Sequence, residues 1–181
     1  DSEFQSFNQI MAALRALGSE YPIEDAIQQG LRKRDLYLAS PQVCRYILWN
    51  YEESLAYTLG LNSTIDEHER AQIWRLRAND SIEHIFPQNA SNGWRGKGWQ
   101  NGSGPSSRED NVHRLGNLLL LPQPLNAQAQ AGPFSQKKII YGQHHLRMID
   151  KVCALDDWTF DSIDERENEL AAWAEKRWAD I

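Results

Sequence analysis

Apolar positions in the first third of the chain recur at three- and four-residue steps, the spacing of one face of an α-helix. This pattern predicts helices over residues 4–18, 23–37 and 40–60. The third helix has the clearest start, because Ser40 can cap it and Pro41 suits the first helical position. The apolar stripe predicted for this third helix consists of Val43, Ile47, Leu48, Tyr51 and Leu55.

Around residue 80 the pattern changes from helix to strand. Residues 81–86, SIEHIF, are few and rich in bulky side chains, which favours a strand. Residues 112–122, VHRLGNLLLLP, form an apolar run that is too short for a typical helix, and they predict a second, buried strand.

The two predicted strands are separated by a long turn-forming segment, residues 87–111. A loop of this length inside a compact domain is often functional. Cations interleaved with aromatic residues suit contact with a phosphate backbone or with bases. The alternative is a loop whose tryptophans pack back onto the core. The residues concerned are Trp94, Arg95, Lys97, Trp99 and Arg108.

Helical patterns return after the second predicted strand, over residues 124–132, 133–155 and 158–181. In the last of these, Asp161 or Ser162 is the expected cap, acidic residues fill the first turns and basic residues lie near the end, which complements the helix dipole. The residues predicted to face inward from the middle helix are Phe134, Ile139, Ile140, Leu146 and Ile149.

The composition is that of a folded protein rather than a disordered one. The chain has 181 residues, of which 41% are hydrophobic and 24% charged. No apolar run approaches the roughly 20 residues of a membrane span. The only cysteines, Cys44 and Cys153, form no CxxC pair, which favours a reducing, cytoplasmic setting. Because the chain begins DSEFQS, we expect a piece of a longer protein, with a helical lobe over residues 1–79 and a second domain over 80–181.

Positive charge is concentrated in the middle of an acidic chain. The formal net charge is −6, but residues 70–147 hold 10 Lys and Arg against 4 Asp and Glu. The segments on either side, 1–69 and 148–181, are each acidic. Phosphate binding depends on the local field, so a basic middle third remains compatible with a nucleic-acid partner. The alternative is a chance fluctuation in a charged surface.

The adjacent pair Glu83-His84 in the first predicted strand is the strongest chemical signal. Neighbouring strand residues point to opposite faces, so the pair cannot pack on one core face. Hydrolysis of a phosphodiester needs a base to activate water and a cation to neutralise charge. His84 can be the base and Glu83 can hold a hard divalent cation, to which Asn126 can supply a second oxygen from the following helix. Such oxygen ligands suit Mg²⁺ or Mn²⁺ better than Zn²⁺.

These segments resemble the HNH nuclease motif, which is named for a His-Asn-His or His-Asn-Asn trio. His84, Asn117 and Asn126 match its first, middle and last members, and the separation of the two asparagines, which are nine positions apart, resembles that in the HNH domain of RNA-guided CRISPR nucleases. More closely, residues 81–178 resemble the C-terminal nuclease domain of GmrSD-type restriction proteins. That likeness rests on the acid-His-Ile-x-Pro-Gln run and on pieces in the same order: Leu115 to Leu118, Leu125-Asn126, Phe134 with Lys137-Lys138, and Trp158, Ile163, Arg166, Leu170 and Trp178.

The resemblance implies an α+β fold, mainly α, in which a helical bundle holds an embedded ββα-metal HNH finger. It implies that His84 is the general base, that Glu83 and Asn126 hold a single Mg²⁺ or Mn²⁺ ion, and that Asn117 orients the His-bearing loop by hydrogen bonding. Glu83 stands where many HNH proteins have Asp, and it is longer by one methylene. No structural zinc is expected.

The predicted phosphate contacts are less tightly specified. Many HNH sites have a Lys or His shortly after the last Asn, whereas positions 127–130 here are uncharged. Lys137 or Lys138 is therefore expected to supply that cation, and His113, just before the second strand, to contact phosphate. The full set of predicted nucleic-acid contacts is Arg95, Lys97, Arg108, His113, Arg114, Lys137 and Lys138.

The resemblance also implies a biological setting. It predicts a metal-dependent endonuclease, nicking or cutting both strands, that acts as the effector of a bacterial, cytoplasmic restriction or antiphage system. The expected partners are double-stranded DNA, modified or invading, and an N-terminal nucleotide-hydrolysing sensor domain; no membrane partner is expected. No GxxxxGK[ST] loop occurs in the chain, so that sensor would lie outside it.

Two other functions fit parts of the same pattern. One is an HNH-like module that binds DNA or a protein partner but has lost cleavage, which the missing cation after Asn126 supports. The other is a zinc site formed by Glu83, His84 and His113, whose irregular spacing makes a weak signal.

Overall fold

The chain folds mainly into helices around one small sheet, an α+β fold that is mainly α. The predicted helix over residues 4–18, the predicted contacts Arg95 and Lys97, and Trp99 lie outside the described residues. The structure, a computed structural model, describes residues 23–58, 80–90, 94, 107–144 and 146–178.

Within that described part, three helices precede the first strand: α1 (Ile23–Leu31), α2 (Leu36–Ala39) and α3 (Pro41–Thr58). Strand β1 (Asp80–His84) is followed by the one-turn helix α4 (Arg108–Asn111), a 3₁₀ turn (Leu115–Asn117) and strand β2 (Leu118–Pro122). The remaining helices are α5 (Gln123–Ala129), α6 (Phe134–Tyr141), α7 (Arg147–Cys153) and α8 (Phe160–Trp178).

The sheet consists of β1 and β2, which pair antiparallel with Asp80 opposite Pro122 and His84 opposite Leu118. Helix α3 contacts β2, and α5 contacts both strands. Because both faces of the sheet are covered, β2 is a continuous apolar run rather than an alternating one. Its four leucines, Leu118 to Leu121, are all buried. Strand, strand and helix therefore follow one another in the order β1, β2, α5, as the sequence predicts.

Two predicted helices are wrong in their extent. The helix expected over residues 23–37 ends at Leu31 and resumes as α2. The helix expected over 133–155 ends at Tyr141 and resumes at Arg147. Glycine has a low helix propensity, and Gly142 forms the C-terminal cap of α6.

Two residues of the predicted apolar stripes face solvent instead. Val43 in α3 is 44% exposed, and the adjacent Cys44 is buried in its place. Ile139 in α6 is 72% exposed, because that helix turns Lys137 inward. Burial of a charged residue needs a partner elsewhere in the chain, which the local pattern does not reveal.

The start of α8 also differs from the prediction. Asp161 does not cap it; the hydroxyl of Thr159 accepts a hydrogen bond from the Ser162 amide at 3.3 Å, and the Ser162 hydroxyl accepts one from the Thr159 amide at 3.2 Å. This reciprocal pair satisfies backbone donors at the helix start. The predicted basic residues at the other end, Lys176 and Arg177, do lie in the last turn.

The helices before β1 share one hydrophobic core with the rest of the described chain. Helix α1 packs on α8, and α3 packs on α7 and β2. Residues such as Leu31, Leu48 and Leu120 belong to the same buried cluster. The predicted domain boundary at residue 79/80 follows a segment outside the described residues and stays a prediction. No helix in the described residues has the length and apolar character needed to cross a membrane.

Candidate active site

A cleft of about 450 Å³ opens where β1 ends, between the turn that follows it and α5. Three residues that the sequence singled out, Glu83, His84 and Asn126, all line it. The fold therefore brings Asn126 close to the pair Glu83 and His84, which lies more than forty positions earlier in the chain. The rest of the lining consists of Ile82, Pro87, Gln88, Asn89, Gln130 and Ala131.

Glu83 and His84 contact opposite sides of the structure, as alternation along a strand requires. The carboxylate of Glu83 contacts residues of α6, whereas the imidazole of His84 contacts rings from α2 and from the segment before β2. Both side chains are buried, at 4% and 5% exposure, because the sheet is covered on both faces. The two adjacent polar residues therefore point to opposite faces of the strand, as predicted, and each contacts polar or aromatic side chains rather than an apolar core.

The carboxylate of Glu83 is held by two donors from α6. Lys137 Nζ lies 2.6 Å from Glu83 Oε1 and 2.8 Å from the His84 carbonyl oxygen, and the Tyr141 hydroxyl donates to the same Oε1 at 2.9 Å. Burial raises the pKa of Glu83, and the charge of Lys137 opposes this. Burial lowers the pKa of Lys137, and the Glu83 carboxylate opposes that. The pKa of Tyr141 is raised well above its ordinary value by burial and by Glu83, so this residue stays a neutral donor.

His84 is a neutral imidazole enclosed by two other rings. Tyr37 and His113 meet it edge to face, with ring centroids 4.6 Å and 5.3 Å away. Burial, together with the nearby His113 and Lys137, lowers the pKa of His84 to about 3. The Gln88 amide nitrogen lies 3.3 Å from His84 Nδ1, and Nε2 is buried without a partner in the described structure. Nδ1 is thus the nitrogen on the cleft side.

In the side-chain amide of Asn126, the nitrogen makes hydrogen bonds within the described part of the protein and the oxygen does not. Its Nδ2 donates to Ser81 Oγ at 2.7 Å and to the Ile82 carbonyl at 3.2 Å. Ser81 Oγ in turn donates to the Leu121 carbonyl, so it must accept from Asn126. This chain fixes the amide orientation, and Oδ1 is left for a donor or a cation in the cleft.

Asn117 lies in a different environment, behind the cleft. Its Oδ1 accepts from the Phe86 amide at 2.8 Å and from Trp158 Nε1 at 3.0 Å. Its Nδ2 donates to the carbonyls of Phe86 and Val112, both at 2.9 Å. The side chain is fully buried and all four of its hydrogen-bonding positions are used. It ties the turn after His84 to the segment before β2 and to the start of the C-terminal region.

The turn that carries Asn117 is packed tightly onto α8. A Cβ added at Gly116 would lie 2.2 Å from the Ile163 carbonyl oxygen, so no other residue fits there without displacing the helix. The guanidinium of the buried Arg166 donates to the carbonyls of Gly116 and Leu118. The last helix therefore supports the backbone that positions the site.

Three of the residues predicted to contact phosphate make other contacts within the protein. Lys137 is fully buried in its pair with Glu83, so the prediction that it contacts phosphate is contradicted; its cation stabilises the carboxylate instead. The guanidinium of Arg114 is ion-paired with Glu167 and Asp164 and is not free for a nucleic acid. Lys138 donates to the Leu155 carbonyl and lies over the Phe134 ring, away from the cleft lining.

The remaining predicted contacts are only partly located. Arg108 begins α4 and is half-buried. His113 is half-buried, stacks on Tyr37 with ring centroids 5.8 Å apart, and has a buried Nδ1. In the long loop, Trp94 packs edge to face on Phe86 and donates to the Gly132 carbonyl at 3.0 Å. At this position the loop folds back onto the core, as the alternative interpretation of its tryptophans expected.

Sequence reasoning missed Tyr141, Gln88 and Tyr37 as site residues. Tyr141 lies four positions after Lys137 on the same helical face, so the spacing signals their common direction once Lys137 is known to point inward. Gln88 follows directly from the Ile-x-Pro-Gln run. Nothing in the sequence near Tyr37 signals its contact with His84.

The donor atoms suit a hard cation better than zinc. Two residues that line the cleft carry oxygen donors, the carboxylate of Glu83 and the oriented amide of Asn126, and oxygen donors are what Mg²⁺ and Mn²⁺ prefer. No group of three or more His, Cys, Asp and Glu side chains in the described residues is arranged to hold a metal. The alternative zinc set of Glu83, His84 and His113 is therefore not assembled.

One comparison with known proteins gives a match over most of the chain. Residues 21–173 match the family model described as the C-terminal domain of GmrSD restriction endonucleases. The match covers most of the chain, from α1 into α8, and it includes every residue of the cleft. No curated protein matches the chain. The chain belongs to this family of C-terminal domains of restriction endonucleases.

Proposed function

We propose, from this family membership and from the cleft, that the chain is a divalent-metal-dependent DNA endonuclease of the HNH type. One observation carries the proposal: three residues that supply an imidazole, a carboxylate and an oriented amide, His84, Glu83 and Asn126, are all among the residues that line one cleft at the end of β1. The family supports a nuclease of restriction-endonuclease type with a DNA substrate. The HNH chemistry and the metal dependence are our inference from the donor set.

His84 is the general base of this proposal. The imidazole is neutral, and its Nδ1 carries the lone pair because Gln88 donates to it. Because Nδ1 has one lone pair, a water molecule in the cleft can lose its proton to this atom, as it attacks phosphorus, once the Gln88 amide has moved off it. Gln88 lies at the same lining and can hold that water before the proton moves. The Gln88 contact is long, at 3.3 Å, and therefore weak, so a water molecule can replace it at Nδ1.

Glu83 and Asn126 would hold the ion. When bound, a Mg²⁺ or Mn²⁺ ion would supply the positive charge that stabilises the phosphate and the leaving oxygen. Lys137 and Tyr141 keep the Glu83 carboxylate in one orientation, and Ser81 does the same for the Asn126 amide. Outer hydrogen bonds of this kind set the direction of a ligand and its basicity.

Asn117 has a positioning role. By bonding both backbone groups of Phe86, it fixes the turn that follows His84 and so the wall of the cleft. It does not line the cleft and does not contact the substrate in this proposal.

The biological setting is also part of our proposal. We place the chain as the effector of a bacterial, cytoplasmic restriction or antiphage protein that cuts or nicks modified or invading double-stranded DNA. An N-terminal nucleotide-hydrolysing sensor, outside this chain, would license cleavage. Arg95, Lys97 and Arg108 remain the proposed DNA contacts, since Lys137 and Arg114 are paired inside the protein.

A plasmid assay tests the proposal. Supercoiled DNA is incubated with the protein in Mg²⁺, in Mn²⁺ and in EDTA, and nicked and linear products are measured. We expect cleavage that needs the divalent ion and that His84→Ala removes. His144→Ala is the matched control, because His144 lies in the turn after α6 and does not line the cleft. Cleavage that persists in EDTA, or that both variants lose equally, would contradict the assignment.

A second candidate function, a DNA-binding module without cleavage, has one observation in its favour. Glu83 Oε1 already accepts from Lys137 and Tyr141, so an incoming ion must share that carboxylate with a buried cation. This candidate predicts DNA binding with no nicking under any metal, in a gel-shift experiment run beside the plasmid assay.

A further inference from the structure

Two buried nitrogen atoms near the cleft have no partner in the described part of the chain. They are Nε2 of His84 and Nδ1 of His113, and the rings that carry them adjoin, with centroids 5.3 Å apart and planes at 89°. A buried polar atom left unpaired costs about 1–3 kcal/mol, so two such atoms in neighbouring rings require an explanation.

The proton of His84 can be assigned from its other nitrogen. The amide nitrogen of Gln88 is a donor only, and it faces His84 Nδ1, which must therefore accept. A neutral imidazole with a lone pair on Nδ1 carries its hydrogen on Nε2. His84 Nε2 is thus a buried donor without an acceptor, and Nδ1 of the adjoining His113 ring can act as an acceptor when it carries no proton.

His113 is fixed well enough to serve that purpose. Its carbonyl oxygen accepts from the Tyr37 amide at 3.1 Å, and its ring stacks on Tyr37 with planes only 7° apart. The same Tyr37 ring meets His84 edge to face at 4.6 Å. Three rings therefore form one cluster, and the two unpaired nitrogen atoms belong to adjoining rings of it.

We propose that His113 is a positioning residue that accepts a hydrogen bond from His84 Nε2 and thereby keeps the lone pair of His84 on Nδ1, at the cleft. This inference rests on the proposed role of His84 as the base. It differs from a phosphate-binding role for His113, because the nitrogen concerned is buried and His113 does not line the cleft.

Nitrogen NMR on the unaltered protein tests the contact directly. In ¹⁵N-histidine-labelled protein, we expect His84 to be the Nε2–H tautomer and a scalar coupling to be seen between His84 Nε2 and His113 Nδ1. The Nδ1–H tautomer for His84, with no such coupling, would overturn the proposal. This readout does not need cleavage, so it stays decisive even if the protein proves to be no nuclease.

Two variants test its consequence. His113→Phe keeps a stacking ring without an acceptor, and we expect mixed tautomers at His84 and a kcat roughly 10–100-fold lower with an unchanged KM for DNA. His113→Asn keeps an acceptor near the Nδ1 position, and it should restore the tautomer and most of kcat. A raised KM with an unchanged kcat in His113→Phe would instead make His113 a DNA contact and overturn the positioning role. Thermal unfolding of both variants establishes that each is folded before the comparison is made.

Discussion

Asn117 and Asn126 are identical side chains nine positions apart, and the structure uses them in opposite ways. Asn117 is fully buried, with its oxygen and nitrogen both saturated by Phe86, Val112 and Trp158. Asn126 is half-buried at the cleft, with its nitrogen tied down and its oxygen left over. We call the first region the Asn117 knot, and it holds backbone segments together. We call the second region, formed by Glu83, His84 and Asn126, the cleft wall, and it contains groups that can bind a ligand.

The difference shows which feature of a buried polar group points to function. Both regions contain buried polar side chains, so burial does not separate them. A saturated group contributes to stability, whereas a fixed group with an unused atom at a cavity has capacity for chemistry. Mutations in the knot should therefore change stability first, and mutations in the wall should change activity first.

The largest effect should come from the cleft wall. His84→Ala is expected to slow DNA cleavage by about 10²–10⁴-fold, because a general base contributes about that much. Affinity for DNA, measured by fluorescence anisotropy, should stay within about twofold. A variant that cuts at the parental rate would remove His84 from the role of base.

Lys137 tests the boundary between the two regions, since it is fully buried yet supports a residue of the wall. Lys137→Met leaves the Glu83 carboxylate buried without its cation, which should lower the free energy of unfolding by about 3–5 kcal/mol. Denaturant titration measures this. Lys138→Met is the matched control, since its amine is exposed, and it should cost less than about 1 kcal/mol. Equal effects of the two substitutions would mean that the buried pair is not what stabilises this helix.

The double variant Glu83→Gln/Lys137→Met sharpens the same test. Removing both charges should recover part of the stability lost in Lys137→Met, because no unpaired charge remains. A double variant as unstable as the sum of two single losses would contradict a direct pair.

Asn117→Ala should be a stability variant. It removes the Asn117 hydrogen bonds to two backbone carbonyls, one backbone amide and the Trp158 indole N–H, and we expect a loss of about 2–4 kcal/mol in the free energy of unfolding. The equivalent change in the cleft wall, Asn126→Ala, should cost less than about 1 kcal/mol. If thermal denaturation gives the reverse order, the distinction between knot and wall is wrong.

Asn126→Ala should be visible in the metal titration instead. Loss of one oxygen ligand is expected to move the Mg²⁺ concentration for half-maximal cleavage upward by at least roughly tenfold. An unchanged titration curve would exclude Asn126 from the ligands.

The smallest effect is expected outside both regions. Replacing Arg95 and Lys97 with Gln should reduce the slope of log affinity for DNA against log salt by about one for each phosphate that is no longer neutralised. Binding isotherms at several salt concentrations measure the slope. A slope equal to that of the parent protein would mean that Arg95 and Lys97 do not contact DNA phosphates.

The two regions also differ in how far the sequence predicts them. The order of strand, strand and helix and the positions of Glu83, His84 and Asn126 follow from local pattern and motif, and the cleft contains all three. The inward direction of Lys137 does not follow, because apolar periodicity favours Ile139, which is 72% exposed. Lys137 is buried because it pairs with Glu83, which lies fifty-four positions earlier in the chain. A pattern read over a short stretch of sequence cannot include both residues.

The same reasoning explains the errors in the helices. Gly142 divides the predicted helix over 133–155 because the chain must turn there to bury Leu146 and Met148. Helix α7 then begins under Glu52 of α3, whose carboxylate accepts the amides of Arg147 and Met148, both at 2.9 Å. A helix start that is capped from almost a hundred residues away leaves no mark in its own sequence.

The dependence of the Asn117 knot on Trp158 and on the Arg166 side chain has a consequence for synthesis. A growing chain on the ribosome has made the whole cleft wall by the time Asn126 is added, yet the turn behind it still lacks the indole and the guanidinium that hold it. The nascent polypeptide therefore cannot complete the support of the cleft until translation has passed position 166.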